Sequence, residues 1–525
     1  MRKSLLVFSV VLTLSGCSQK NTLTNMLSNS KNENKSIENN IDFTVEKTTL
    51  SKGYNLTEPN VEVVKDSSDS LILANLGILE CSDIKVDKIT EYNNQVNIYT
   101  SIINDKENDS IVVPQILINM KNIPNANLKD LTFNIVRSNY ETINLNHSIN
   151  QSLDTIYNQF NLSPTSIPQT TLTKERDRYY WDIQILNAFK KEDLDSSIVN
   201  FSTRVDSFTG KLINTNENNI SNIIDKGNIL NFTENRFLLY AQKSYINKKA
   251  VETLWIYDTE TNIKKKIFLT DKSIVKANLN LNLNKVAVIE SIDNITSLSV
   301  IDLNNLYVKE LSSGKHNNTS NIKWHNNDLY AIVNDKNNLS SIISYDINTN
   351  KENIIYSSKT KLSTFDLIDN SILFSTFNED KSLSEVFIYN ENEKPLKIDN
   401  GTNAKFIDKN KVMYIKENKD ISNIYLYNIK EDNKDLLTNQ NIINYSFKSK
   451  DDIYFIGKNK DNMNFLLLTY NYKNNVISPI SNWISNNIYY SPYNNMIYFS
   501  ITPPESNSGN ETIYSININN LHKKD

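Results

Sequence analysis

Apolar residues fall in short blocks along this chain, and from about residue 228 the blocks recur in a fixed order. Each recurrence holds a polar stretch, an apolar strand, a small polar gap, a second strand closing on Asp or Asn, and a charged run. The closing residues are Asp258, Asp302, Asp346, Asn390, Asn428, Asn471 and Asn517, separated by 44, 44, 44, 38, 43 and 46 positions. A period of this length is that of a small four-stranded sheet repeated around a ring, so residues 217–525 are predicted to form a seven-bladed β-propeller. Within each repeat the second strand is apolar almost throughout, as at residues 286–289 and 372–374, which suits a strand buried on both faces. The last repeat runs out of chain before a fourth strand, whereas residues 220–224 form a spare strand with no repeat of their own. That spare strand is predicted to close the seventh blade from outside, because an open ring would leave sheet edges unpaired.

Upstream the pattern changes. Strand-like runs at residues 70–78, 95–103, 111–120 and 130–136 follow one another, with Pro114 predicting an edge or a bulge in the third. Ile149, Leu153, Ile156, Tyr157 and Phe160 then recur at helical spacing, with Asn146 or Ser148 placed to cap the helix. Strands at 179–185 and 199–205 come next. The whole is therefore mainly β: a small α+β domain over 57–216 followed by the propeller. Residues 17–56 are rich in Asn, Ser, Lys, Thr and Glu without a sustained period, and are predicted to be a flexible tether. Only 9 Gly serve this many turns, so Asn pairs such as Asn326-Asn327, Asn337-Asn338 and Asn494-Asn495 are expected to supply left-handed turn backbone.

The chain begins with Arg2 and Lys3, an apolar run from Leu5 to Leu14, and then Leu14-Ser15-Gly16-Cys17. The run is too short to span a bilayer as a lasting helix. This segment resembles a bacterial lipoprotein signal. The resemblance implies removal of residues 1–16, lipidation (palmitate among the acyl chains) at Cys17, and attachment to the extracytoplasmic face of a cell membrane; two or three chains would hold stably. Cys81 is then without an intramolecular partner, so no disulfide framework is expected. Net charge is −4 from 56 bases and 60 acids with no long basic run, which argues against nucleic acid as a partner.

Two further resemblances rest on particular phrases. Residues from about 148 to 216 resemble a PepSY-type module, through a helix, the strand Tyr180-Trp181-Asp182-Ile183 and the hairpin Val205-Asp206-Ser207-Phe208-Thr209-Gly210-Lys211. That implies an accessory domain of exported proteins without catalysis. The repeats resemble TolB-type propellers in Leu254-Trp255-Ile256-Tyr257-Asp258, in Ile424-Tyr425-Leu426-Tyr427-Asn428 and in Ser491-Pro492-Tyr493-Asn494. In the last of these, Tyr493 and Asn494 stand where that family usually has Asp-Gly, which separates fold from ligand.

Chemistry is sparse. Four His, at 147, 316, 325 and 522, no Gly-x-Ser-x-Gly elbow and no His or Cys pair at ligand spacing support neither a hydrolase nor a zinc site. Acid and amide clusters at 378–380 and 459–462 lack the spacing of a calcium loop. No cofactor or metal is expected, and no catalytic residue is assigned. Trp324, His325, Trp483 and Tyr490, placed on predicted channel-lining strands, are the candidate binding residues, suited to stacking on a sugar or an extended peptide. The expectation is thus a membrane-anchored, non-enzymatic binding or scaffolding module for a protein or cell-wall glycan partner. Two alternatives remain: an envelope polysaccharide-active enzyme using acids such as Glu290, or a TolB-like assembly factor.

Overall fold

The computed structural model describes residues 38–521, apart from short segments at 55–56, 67–69, 106, 108, 122–127, 193–194, 312–315, 317, 336, 338, 379–381, 392, 419–420, 439–440, 450–451, 459–464, 472–473 and 505–509. Cys17 and the segment before it, expected to be a lipidation site and its signal, lie outside the described residues, as do His522 and most of the two acid and amide clusters. The chain divides into two units, residues up to 51 with 58–142, and 52–57 with 143–525.

In the first unit a four-stranded sheet runs in the order Asn39–Asn40, Asp83–Tyr92, Gln95–Ile103, Thr132–Arg137, its last pair parallel. A five-stranded sheet sets Ser110–Lys121 between Asp42–Ser51 and Ser70–Asn75. Two expectations need correction here. The tether does not extend to residue 56, because Asp42–Ser51 pairs along Ser110–Lys121 and its Phe43 and Leu50 pack on the core; β-branched residues and two anchoring side chains outweigh a polar composition. Pro114 occupies a central strand. Its carbonyl accepts Leu76 N–H at 3.1 Å just where the neighbouring ladder ends at Asn75↔Gln115, so its missing N–H falls beyond that ladder. Cys81 is fully buried, and burial, with Asp109 and Asp83 nearby, pushes its thiol up to about 11, which keeps it in the unreactive protonated form.

The second unit opens with an α+β module. Ser148 caps the helix Ile149–Phe160 through a reciprocal capping box with Gln151, and Asn161 ends it in the left-handed conformation at φ 52°. The helix lays Ile156 and Phe160 on a five-stranded antiparallel sheet built around Arg178–Glu192, where Phe160 meets Phe201 at 4.7 Å. In the hairpin after it, Asp206 accepts the N–H groups of Phe208 and Thr209 while Gly210 takes φ +69°. The expected 57–216 domain is therefore two pieces, and residues 143–219 belong with the propeller. Phe189 and Ile198 share one apolar cluster with Tyr454, Trp483, Phe499 and Tyr514 of the ring. Asn187 donates to Asn482 O at 2.5 Å, and Tyr514 donates to Ser196 O at 2.6 Å.

Seven four-stranded antiparallel sheets follow, a β-propeller, with inner strands Asn228–Thr233, Ser273–Asn280, Asn318–His325, Lys361–Ile368, Thr402–Asp408, Asn441–Phe447 and Tyr489–Ser491. The chain leaves the module as Ser221–Lys226 and pairs with the C-terminal strand Thr512–Asn517, with Ile223 opposite Tyr514. The seventh sheet is thus three strands from one end of the unit and one from the other, as the spare segment predicted. Phe232 of the first sheet meets Tyr489 and Tyr498 of the seventh at 6.0 and 6.1 Å, and the Thr259 and Ser491 hydroxyls lie 3.0 Å apart. These contacts complete the ring.

Candidate functional site in the central channel

Inner strands of successive sheets are stitched together by polar side chains that reach from one to the next. Asn231 donates to Ala277 O at 3.2 Å, Lys276 to Asn321 Oδ1 at 3.0 Å, and Asn280 to Asn326 O at 2.8 Å. Lys323 pairs with Asp366, whose other oxygen accepts Phe406 N–H at 2.9 Å from the fifth sheet. Asn403 donates to Asn444 at 3.3 Å, and Asn444 to Asn486 O at 3.1 Å. Six of these seven strands carry a register break near their start, such as Ile229/Asn231, Ile274/Lys276, Thr319/Asn321 and Ile442/Asn444. A bulge turns the side chain beyond it out of the alternation, which is how a polar residue arrives at the sheet's inner edge.

Two cavities open along this seam and share the side chains of Lys323 and Lys405. One, of about 230 Å³, is lined by Asn321, Asp366 and Asn403 besides; the other, of about 530 Å³, extends to Asn231, Asn278 and Asn280, with Glu234 also on its wall. Lys405 holds its ammonium 4.9 Å from the Tyr445 ring centre. Burial lowers its proton affinity, an effect that Asp366 opposes and Lys323 reinforces. Burial lowers that of Lys276 as well. Asp366 is buried at 8% exposure, and it accepts from Lys323, Leu367 N–H and Phe406 N–H. In the smaller cavity the Lys323 and Lys405 ammonium groups therefore face one carboxylate that is already satisfied, and Lys276 reaches its wall through Asn321.

A larger cavity of about 780 Å³ lies between the fifth and sixth sheets, lined by Ile407, Asp408, Lys434, Leu437, Tyr470 and Asn475 among others. Several of its polar groups are committed locally. Asp408 accepts Asn410 N–H, Tyr470 donates to Asn475, and Lys434 stands 3.7 Å from Asp399.

The four aromatic candidates separate on inspection. Trp324 does lie on an inner strand and on the wall of the cavity of about 530 Å³; it is 8% exposed and its indole N–H donates to Asn278 O at 2.9 Å, which holds it against the second sheet. His325 is half-buried at the strand end, its ring edge-on to Tyr330. Trp483 ends an outer strand, Val476–Trp483 of the sixth sheet, not an inner one, and packs 4.8 Å from Phe499. The extra length of that strand, which apolar spacing alone does not reveal, displaces the inner strand of the seventh sheet to Tyr489–Ser491. Tyr490 sits there, buried, with its hydroxyl on Asn495 at 3.1 Å. Glu290 is buried on the second sheet and accepts the Thr270 hydroxyl at 2.6 Å, with Lys272 3.9 Å away. Lys276, Lys323, Lys405 and Asp366 were not singled out from sequence. The available signal was a charged residue inside an otherwise half-buried first strand, recurring in successive repeats.

No family model matches the chain, and no curated protein matches it in sequence. Among solved structures it is similar to the β-propeller domain of the Trilobed protease from Pyrococcus furiosus (14% identity, 63% of this chain and 96% of that one, TM-score 0.38). It is similar also to oligogalacturonate lyase from Vibrio parahaemolyticus (15%, 62% and 98%, TM-score 0.45) and to TolB from Acinetobacter baumannii (11%, 65% and 86%, TM-score 0.33). Likenesses this distant carry no activity to this chain.

Proposed function

We propose that this protein is a lipid-anchored binding or scaffolding module on the extracytoplasmic face of a cell membrane, held there through Cys17, without catalytic activity of its own. Its propeller offers the channel mouth around Lys323 and Lys405 to a protein or cell-wall glycan partner, and the PepSY-like module braces the ring. The observation that carries the reading is the channel itself. Apart from Glu234 on its wall, its charged side chains are spent on cross-linking inner strands or left as cations without an ion pair, and among the described residues no nucleophile and base are set against each other. The Arg2-Lys3 start, the apolar run and Leu14-Ser15-Gly16-Cys17 support the anchor.

Affinity capture from intact cells with the full chain, beside a Cys17→Ala form, tests both parts. The expected result is incorporation of labelled palmitate and membrane partition for the native chain only, and recovery of one specific envelope partner. Capture of no partner together with turnover of glycan fragments would assign the channel instead to a polysaccharide-active enzyme.

A further inference from the structure

The channel is rich in hydrogen-bond donors, and the acceptors nearest its ammonium groups are already used. Asn231 Oδ1 accepts Phe232 N–H, Asn278 Oδ1 accepts Trp324 N–H, Asn280 Oδ1 accepts Leu283 N–H, and Asn321 Oδ1 accepts both Lys276 and Ile322 N–H. Both oxygens of Asp366 are taken. On the donor side, among the described residues, the Lys405 ammonium has only an aromatic face beside it, Lys276 spends one of its three N–H groups, and the amide nitrogens of Asn278 and Asn321 have no acceptor. Neither Lys276 nor Lys405 has an ion-pair partner among those residues. The smaller cavity thus sets two ammonium groups, Lys323 and Lys405, against one carboxylate whose oxygens are both taken, which favours an anion there, while Glu234 on the wall of the larger cavity favours a neutral hydroxyl-bearing group over a second anion.

Building on the proposed binding role, we infer that Lys405, Lys323 and Lys276, with the Asn278 and Asn321 amides, form a site for the anionic group of a hydroxyl-bearing polymer, a phosphate- or carboxylate-bearing glycan. The smaller cavity, about 230 Å³, receives the anionic group between Lys323 and Lys405; the larger, about 530 Å³, takes the sugar or polyol beside it. The Asn231, Asn278, Asn280 and Asn326 side chains on the larger cavity's wall favour hydroxyls over the apolar side chains of a peptide, and Trp324 on the same wall is 8% exposed with its indole N–H given to Asn278 O. An anion in the cavity also stabilises the charged form of ammonium groups that burial otherwise disfavours, so binding weakens as pH rises.

Calorimetric titration of the full chain at low salt with a glycerol-phosphate oligomer, an oligoglucuronate, neutral dextran and oligoglutamate tests this. Binding of the phosphate or the carboxylate glycan is expected, with the two arms telling which anion is preferred. Lys405→Gln should weaken it at least tenfold, Asn278→Asp by at least as much, and the exposed Lys266→Gln should leave it unchanged, with melting curves confirming that each variant folds. Equal binding of dextran, stronger binding of oligoglutamate, no binding of either anionic glycan, or full affinity in a folded Lys405→Gln would overturn the site. If that happens while a specific envelope partner is still captured, only the site falls and the binding role stands.

Discussion

Single side chains explain the repeated acid or amide that punctuates the sequence. Asp258 accepts Glu260 N–H at 3.0 Å, Asp302 accepts Asn304 N–H at 2.9 Å, Asp346 accepts Asn348 N–H at 2.9 Å, and Asn471 accepts Asn474 N–H at 3.0 Å, each capping the turn that begins there. Four residues further on, Asn262, Asn350, Asp432 and Asn475 take positive φ, and in three of these turns a strand tyrosine donates to that residue: Tyr257, Tyr427 and Tyr470 at 2.6, 2.9 and 2.6 Å. Among the described residues Asn accounts for 15 of the 24 positive-φ residues that are not glycine, so the amide does the work that glycine does in other β proteins. Asn326 and Asn495 behave as their pairs predict, whereas Asn338 lies outside the described residues. Arg236 grips Asp258 at 2.8 and 2.6 Å and holds its carboxyl at about 2. Because that value lies below the unfolded one, the pair stabilises above pH 4 and the contribution is lost as pH falls from 4 towards 2. Arg236→Gln should lower stability at neutral pH and flatten the acid dependence of the denaturation midpoint in that window. Glycine itself is kept where backbones cross: a Cβ on Gly227 would meet Ala241 O at 2.6 Å, and one on Gly401 would meet Ile415 O at 2.7 Å. Either Ala variant should lower stability by roughly 2 kcal/mol or more in urea titrations.

Among the elements, the closing strand has the widest consequences. Ser221–Lys226 continues the module's last strand, Leu212–Asn219, after one residue, and Ile220 N–H donates to Ile198 O while Ser221 Oγ accepts Ile198 N–H. The segment that seals the ring is thus registered by the module before it reaches the propeller. Cysteines at positions 222 and 515, which stand opposite each other, should cross-link on mild oxidation in a Cys17→Ser, Cys81→Ala background. The oxidised form should migrate as a more compact band on a non-reducing gel and gain up to about 4 kcal/mol; no cross-link would mean a ring sealed differently. This closure was readable from the strand count of the last repeat. The strand Asp42–Ser51 was not, because its alternation is weak and its partner lies some seventy residues away.

For the unit comprising 52–57 and 143–525, the shared cluster of Phe189 and Ile198 with Tyr454, Trp483 and Tyr514 ties module and ring into one core. Single-tryptophan variants that keep only Trp181, in the module, or only Trp324, in the third sheet, should therefore unfold with coincident midpoints in denaturant. Separate midpoints would mean that the module folds by itself. Sequence alone determined the seven-fold repeat, the helix with its cap, the turn chemistry and the borrowed strand, because hydrophobic period and turn preference are local properties carried by neighbouring residues. Only the tertiary structure decided that Trp483 and Tyr490 belong to the packing, and that Lys323 and Lys405 meet in one channel with Lys276 bonded to Asn321 on its wall. Burial and the pairing of charge arise when strands from different sheets meet, and no pattern within a single repeat contains its neighbour.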